Sequence, residues 1–415
     1  MNTEKYIVLL DNKEEKTLKT VEKEFQVKLT SSELLSSENK SYNIIDDSNG
    51  VLYKNLNMMV VDNMDEEQLQ KAIDEKDNPI VHFEKERVFY VDNALDVLKE
   101  IQDTTATLQE KLKILASQIQ QKSEPKTKDI TSYEWGLNAI GLGKSQLTGK
   151  GINVCVLDTG FDISHADFVG RTIEGKSFIP NEDWDKDIKG HGTHCIGTAV
   201  GNLNINTGKR YGIAKNANLF VAKALANDGS GTTSSVVDAI DWAITKKMRI
   251  ISMSLSSPVG INETPSAIFE AIGLKALENN CLLIAAAGND SQRPGLPQPV
   301  SSPANAQSIM AVAAIDNQMR IANFSNGGIN ASTGGAINVC APGVDVVSSF
   351  PINTYALKSG TSMATPHVAG MAALYMEKYP HLNAKEIWNL IEKNAQKIEG
   401  LMYRDIGSGL VRIVK

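Results

Sequence analysis

Ser362 stands in "SGTSMATPHVAG" (359–370), a hydroxyl among small residues just ahead of a proline and a histidine. A serine in the first turn of a buried helix gains backbone donors and the positive end of the helix dipole, which suits an attacking oxygen. An ordinary capping serine follows the same local logic. An attacking serine needs a base: an imidazole beside it whose second nitrogen is fixed by a carboxylate. His191 opens "HGTHCIGTAV", and Asp158 ends the apolar run "NVCVLD" just before a turn glycine. An aspartate there is also a common cap or turn former. Asn289 closes "CLLIAAAGN"; its amide could donate to a developing oxyanion, or the residue could occupy a left-handed turn. His191 and His194 could pair on a metal, but no glutamate lies between them as in the zinc-protease helix. His367 lies on the same expected helix as Ser362 and reads as structural.

The elements that must position these residues are short and strongly patterned. From about residue 130, "GINVCVLDTG", "NLFVAKAL", "RIISMSLS" and "CLLIAAAGN" are near-continuous apolar runs ending in small polar residues. Helical segments such as "SSVVDAIDWAITKK" and "PSAIFEAIGLKALEN" separate them. Buried strands alternating with helices imply an α/β fold, a parallel sheet with helices on both faces. In such sheets chemistry gathers beyond the carboxyl ends of the strands, where Asp158 and Asn289 fall.

Residues 1–92 carry their own alternation and read as a small α+β unit: a strand "KYIVLL", a helix around "KTLKTVEKEF", strands near "YKNLNMMVVD", a helix "DEEQLQKAI" and a last strand "PIVHFEKERVFYV". Residues 94–121 space leucines and isoleucines for an amphipathic helix, and "KSEPKTKD" is a charged linker broken by proline, so 93–129 is a helical spacer before a domain at 130–415.

The stretches "VLDTG", "GHGTHCIGTA", "AAAGN" and "GTSMATPHVAG", in that order, resemble the subtilisin-type serine proteases, the subtilases, from about 133 to 413. The resemblance implies that Ser362 attacks the scissile carbonyl, that His191 moves the proton and that Asp158 holds the imidazole. It gives the oxyanion to Asn289 and the Ser362 N–H. A peptide or protein substrate would bind as an added strand. Ser254, Leu255 and Ser256 would flank it on one side and Gly229, Ser230 and Gly231 on the other. Ala287, Gly288 and Ser301 would wall the main specificity pocket, made polar at its mouth by Asp290 and Ser301. Cys195 would lie beneath the histidine. The chemistry implied requires no cofactor, but a structural calcium on Asp167, with Asn204 and Asn206 in a loop of unusual length, is implied as well. "IVHFEKERVFYV" resembles the last strand of subtilase propeptides, so the chain's own 1–92 unit is an expected partner, with self-cleavage between about 92 and 128.

The 415 residues exceed one ordinary core, and a net charge of −7 with interspersed signs argues against a nucleic-acid or basic membrane-surface binder. No apolar segment approaches a bilayer span. The four cysteines fit neither a disulfide framework nor a zinc pattern and read as buried thiols. The first residues lack a secretory signal, so the cytoplasm is expected if residue 1 is the native start, and secretion if a signal preceded it. Three functions fit: a dedicated processing protease, such as one removing leader peptides of lantibiotics; a general intracellular subtilisin; and a non-catalytic peptide-binding relative, whose mark would be a missing catalytic residue.

Overall fold

Strands β7 (Asn153–Asp158), β9 (Asn218–Lys223), β11 (Ile250–Met253) and β12 (Leu282–Ala286) are the four apolar runs expected as strands; β13 (Met310–Ile315) and β14 (Val339–Pro342) join them, and almost every residue in the six is buried. Successive strand residues face opposite sides, so uninterrupted burial means that both faces of their sheet are covered. With β8 (Ile173–Ser177) at the edge, they form a seven-stranded sheet in the order β14-β13-β12-β11-β7-β9-β8, parallel throughout. The computed structural model describes residues 5–11, 19, 21–23, 25–33, 49–75, 78–91 and 132–413; the expected helix over 94–121 and the expected cleavage region lie outside them.

The helices against this sheet are α3 (His191–Val200), α4 (Thr233–Thr245), α5 (Ala267–Glu278) and α6 (Thr361–Lys378), preceded in the chain by α1 (Glu66–Asp74) and α2 (Trp135–Ile140) and followed by α7 (Ala384–Asn394). Helices α3 and α6 pack on each other, and α6 crosses β11 through β14. Their contact is close because they meet through glycine and alanine: a Cβ on Gly370 would lie 2.8 Å from the Ala199 carbonyl oxygen. A hairpin of β15 (Val346–Phe350) and β16 (Thr354–Lys358) leads into α6.

The N-terminal unit is a five-stranded sheet, β2-β3-β4-β1-β5, built from β1 (Lys5–Leu10), β2 (Leu29–Ser31), β3 (Gly50–Tyr53), β4 (Met58–Asp62) and β5 (Ile80–Lys85). Alternation divides its side chains. Tyr6, Val8 and Leu10 share a core with Leu69 and Ala72 of α1, whereas Ile7, Val51, Tyr53, Met58 and Val60 join the large core of the parallel-sheet unit. One face thus closes on the unit's own helix and the other on α4 and α5.

The segment expected as one last strand is two. The backbone of Arg87 is taken by the first turn of α4, its N–H donating to Thr233 Oγ1 (2.9 Å) and its carbonyl accepting from Thr233 N–H (2.9 Å). Beyond that break β6 (Val88–Tyr90) leaves the N-terminal sheet and pairs antiparallel with β10 (Ser230–Thr232). The short β2 was not anticipated; its three half-buried residues carry no strong pattern.

Candidate active site

Asp158 is the last residue of β7, and His191 the first of α3, entered through Gly190 in a left-handed conformation (φ 78°) that a side chain resists. This brings His191 Nδ1 to 2.7 Å from Asp158 Oδ1, which also accepts the Thr159 N–H at 2.8 Å. Both side chains are buried. Burial opposes the imidazolium, but the carboxylate beside it outweighs burial and raises the His191 pKa well above its ordinary value. His191 Nε2 is buried and makes no hydrogen bond.

A lower layer fixes this pair. Asp187 accepts from Thr159 Oγ1, Gly190 N–H, Thr193 N–H and Thr193 Oγ1 at 2.7–2.9 Å, tying the turn after β7 to the start of α3. Cys195 Sγ lies 3.8 Å from His191 Nδ1. Asp158, His191 and Cys195 could in principle share a metal. The carboxylate, however, is already committed to the imidazole, and burial raises the Cys195 thiol to about 11. His194 Nε2 bridges the carbonyls of Val346 and Ala356 (3.0 and 3.1 Å), and burial holds it neutral with a pKa of about 3. It pins the β15–β16 hairpin. His367 Nδ1 bonds to Met363 O within α6, in keeping with its structural reading.

Ser362 is the second residue of α6. Its Oγ lies 3.3 Å from the carbonyl oxygen of Ser254 and 3.5 Å from that of Val91. Asn289 follows β12; its Oδ1 accepts from Thr361 N–H and Thr361 Oγ1, both at 2.9 Å, which turns its amide nitrogen toward Gly360. A Cβ on Gly360 would meet Asn289 Nδ2 at 3.4 Å and the Ser362 nitrogen at 3.6 Å. Two nitrogen donors, Asn289 Nδ2 and the Ser362 N–H, thus lie beside Gly360 next to the Ser362 side chain, the kind of pair that can hold an oxyanion.

The expected cleft walls come together around β6. Tyr90 and Ser256 exchange both backbone hydrogen bonds at 3.0 Å, Val91 N–H donates to Gly229 O (3.2 Å), and Ser230 and Gly231 lie in β10. Leu255 is buried, and Ser254 turns its hydroxyl to the Ser362 carbonyl (2.8 Å) rather than to β6. Ala287, Gly288 and Ser301 adjoin Asp290, whose Oδ2 accepts from Asn326 Nδ2 (2.9 Å) and Ser301 Oγ (3.3 Å). Asn326 also holds Asp290 N–H and Ser291 Oγ through its own oxygen, and no sequence pattern singled it out.

A model of the subtilase family matches residues 149–409. Subtilisin DY of Bacillus licheniformis is 39% identical over 282 residues, covering 67% of this chain and 96% of the relative. Subtilisin E of Bacillus subtilis (strain 168) is 36% identical over 286 residues, 68% and 70% of the two chains. The protein belongs to the subtilases. Among solved structures Sphericase superposes with a TM-score of 0.60 at 30% identity, over 68% of this chain and 98% of that one. This subtilase is a serine endopeptidase, a hydrolase of peptide bonds, and no described helix is long and apolar enough to cross a membrane.

The calcium expected on Asp167 does not fit the residues present. Calcium takes six to eight oxygen ligands at about 2.3–2.6 Å. Here the Asp167 carboxylate accepts the Tyr211 hydroxyl at 2.6 Å and that of Tyr355 at 2.8 and 2.9 Å, while Tyr355 Oη takes the Ile205 N–H. Asn204 Oδ1 is engaged by the N–H groups of Asn206 and Thr207 in its own turn. The Asp167 carboxylate is thus already taken by two phenol hydroxyls.

Proposed function

We propose that this serine endopeptidase works through Ser362, His191 and Asp158 and is made as a precursor that its own N-terminal unit inhibits. Ser362 Oγ attacks the scissile carbonyl while His191 Nε2 takes its proton and returns it to the leaving amine. Asp158 keeps Nδ1–H in place and stabilises the imidazolium. Asn289 Nδ2 and the Ser362 N–H receive the negative charge of the tetrahedral intermediate, and water then hydrolyses the acyl-enzyme.

The observation that carries this reading is β6 itself. It lies between β10 and Ser256 as an extended strand, and the residue after it, Val91, brings its carbonyl to 3.5 Å from Ser362 Oγ. A peptide bound as an added strand would occupy the same place. Residues 1–92 then act as a propeptide, and self-cleavage falls between about 92 and 128. Asp290 at the pocket mouth favours a polar or basic residue before the cut. Removal of a leader peptide from a ribosomally made peptide is the physiological role we favour, because the layout is one catalytic unit with its own inhibitor.

A fluorophosphonate probe should label Ser362 in the purified wild type, and Ser362→Ala or His191→Ala should accumulate full-length chain that wild type shortens. Equal trimming of the alanine variants in isolation rules out self-processing, and no labelling of the shortened wild type rules out the nucleophile.

A further inference from the structure

Between β6 and the parallel-sheet unit lies a cavity of about 320 Å³ that the N-terminal unit leaves unfilled. Val88 stands at its mouth; Phe178, Ile179, Pro180 and Ala226 give it apolar walls, and Asp238 of α4 lies at its lining. The register of β6 explains why the space is empty. Phe89 points the other way, fully buried edge-to-face on Phe269 at 5.5 Å, so its side of the strand is filled. Val88 pairs with Thr232 on the cavity side, and its short side chain, still 44% exposed, cannot reach the far wall. Asp238 also displays the chemistry it accepts, because its Oδ1 holds the phenol hydroxyl of Tyr53 at 2.6 Å. When the N-terminal unit departs, that phenol departs with it.

We propose that this cavity is a substrate subsite for the side chain in Val88's place, three residues before the one bonded to Gly229, and that it takes an aromatic side chain with a donor at its tip, tyrosine or tryptophan. The ring replaces empty space against Phe178 and Pro180, and the hydroxyl or indole N–H reaches the carboxylate that Tyr53 vacates. The inference rests on reading the β6 groove as the peptide-binding cleft. It adds a selective position upstream of the specificity pocket, suited to a protease that must pick one sequence.

The test places the aromatic side chain on β6 in a full chain carrying Tyr53→Phe, which frees Asp238 Oδ1 as departure of the N-terminal unit would. Fluorophosphonate reaches Ser362 of uncleaved chain only when β6 lifts, so the initial labelling rate of the full-length band on a gel, before the chain shortens, follows the open population. Val88→Tyr should slow labelling roughly tenfold relative to the Tyr53→Phe parent, the order expected for burying one ring, and Val88→Asp should speed it. Ala226→Phe fills the cavity from its wall and should abolish the advantage of Val88→Tyr. In the Ser362→Ala background the thermal midpoint of the full chain should follow the same order. Equal labelling rates and equal midpoints for Val88→Tyr, Val88→Ala and Val88→Asp overturn the subsite. If no variant labels while the midpoints keep the order, the subsite stands and the nucleophile assignment fails instead.

Discussion

Pro366 has no N–H to donate, so the carbonyl of Ser362, four residues earlier in α6, lacks its helical partner. The Ser254 hydroxyl supplies the bond at 2.8 Å, and the Cys195 thiol lies at 3.5 Å. Ser254→Ala should lower unfolding free energy by about 1–2 kcal/mol, the usual result of stranding a buried carbonyl. In a Pro366→Ala background, where the helix regains its own donor, the loss should shrink to less than half; an equal loss in urea titrations of both would discard the explanation. The Asp158–His191 pair makes a second prediction. A His191 pKa raised by Asp158 means that kcat/KM falls as pH drops through a value above the ordinary 6.5 or so. Asp158→Asn should move that acid limb downward in pH while depressing the plateau, as pH–rate profiles would show. Asp158, His191, Asn289 and Ser362 were legible because each lies at or within three residues of an element's end, in a distinctive run. Asp187, Thr159 and Asn326 were not, because their partners lie up to 36 residues away and nothing local marks them.

Elements acquire meaning from what holds their ends. The β15–β16 hairpin delivers the chain to α6, and Tyr355 within it is fastened by Asp167, which also holds Tyr211. Two phenols on one carboxylate take the place of a cation as the link between three segments distant in sequence. Chelation should therefore leave the thermal midpoint unchanged within about 1 °C, whereas Tyr211→Phe with Tyr355→Phe should lower it by several degrees, about 1 kcal/mol per lost hydrogen bond. A midpoint that falls in chelator and recovers with added calcium would reverse this assignment. The motif around Asp167 pointed to calcium because it is local, while Tyr355, 188 residues further on, decides the chemistry. The same limit explains the single strand expected over 79–91. Its composition is uniform enough, and only Thr233, from another unit, breaks it at Arg87.

Across the whole molecule, the N-terminal unit meets α4 and α5 through acids on both sides of the contact. Glu86 accepts from the N–H and hydroxyl of Ser234 at the start of α4, and Glu84 from the Ser266 hydroxyl at the start of α5, both favourable ends of a helix dipole. Asp238 and Asp241, further along α4, face Tyr53, Ser32 and Asn55 of the N-terminal unit. Burial pushes Asp238 up to about 7, with the neighbouring Asp241 adding to the rise while the Tyr53 hydroxyl, Lys176 and Lys5 oppose it. Burial raises Asp241 as well. A carboxyl whose pKa rises on docking favours the docked state when protonated. Its contribution is complete below the ordinary carboxylate value near 4, fades as pH climbs through about 7, and is absent above. The N-terminal unit should thus hold the cleft more tightly at pH 5 than at pH 8. In the Ser362→Ala chain, the protection of the Tyr90 and Val91 amides against hydrogen exchange, corrected for intrinsic rates, should weaken across that interval. Asp238→Asn, neutral at every pH, should flatten most of the change, and an undiminished change in that variant would move its origin away from α4.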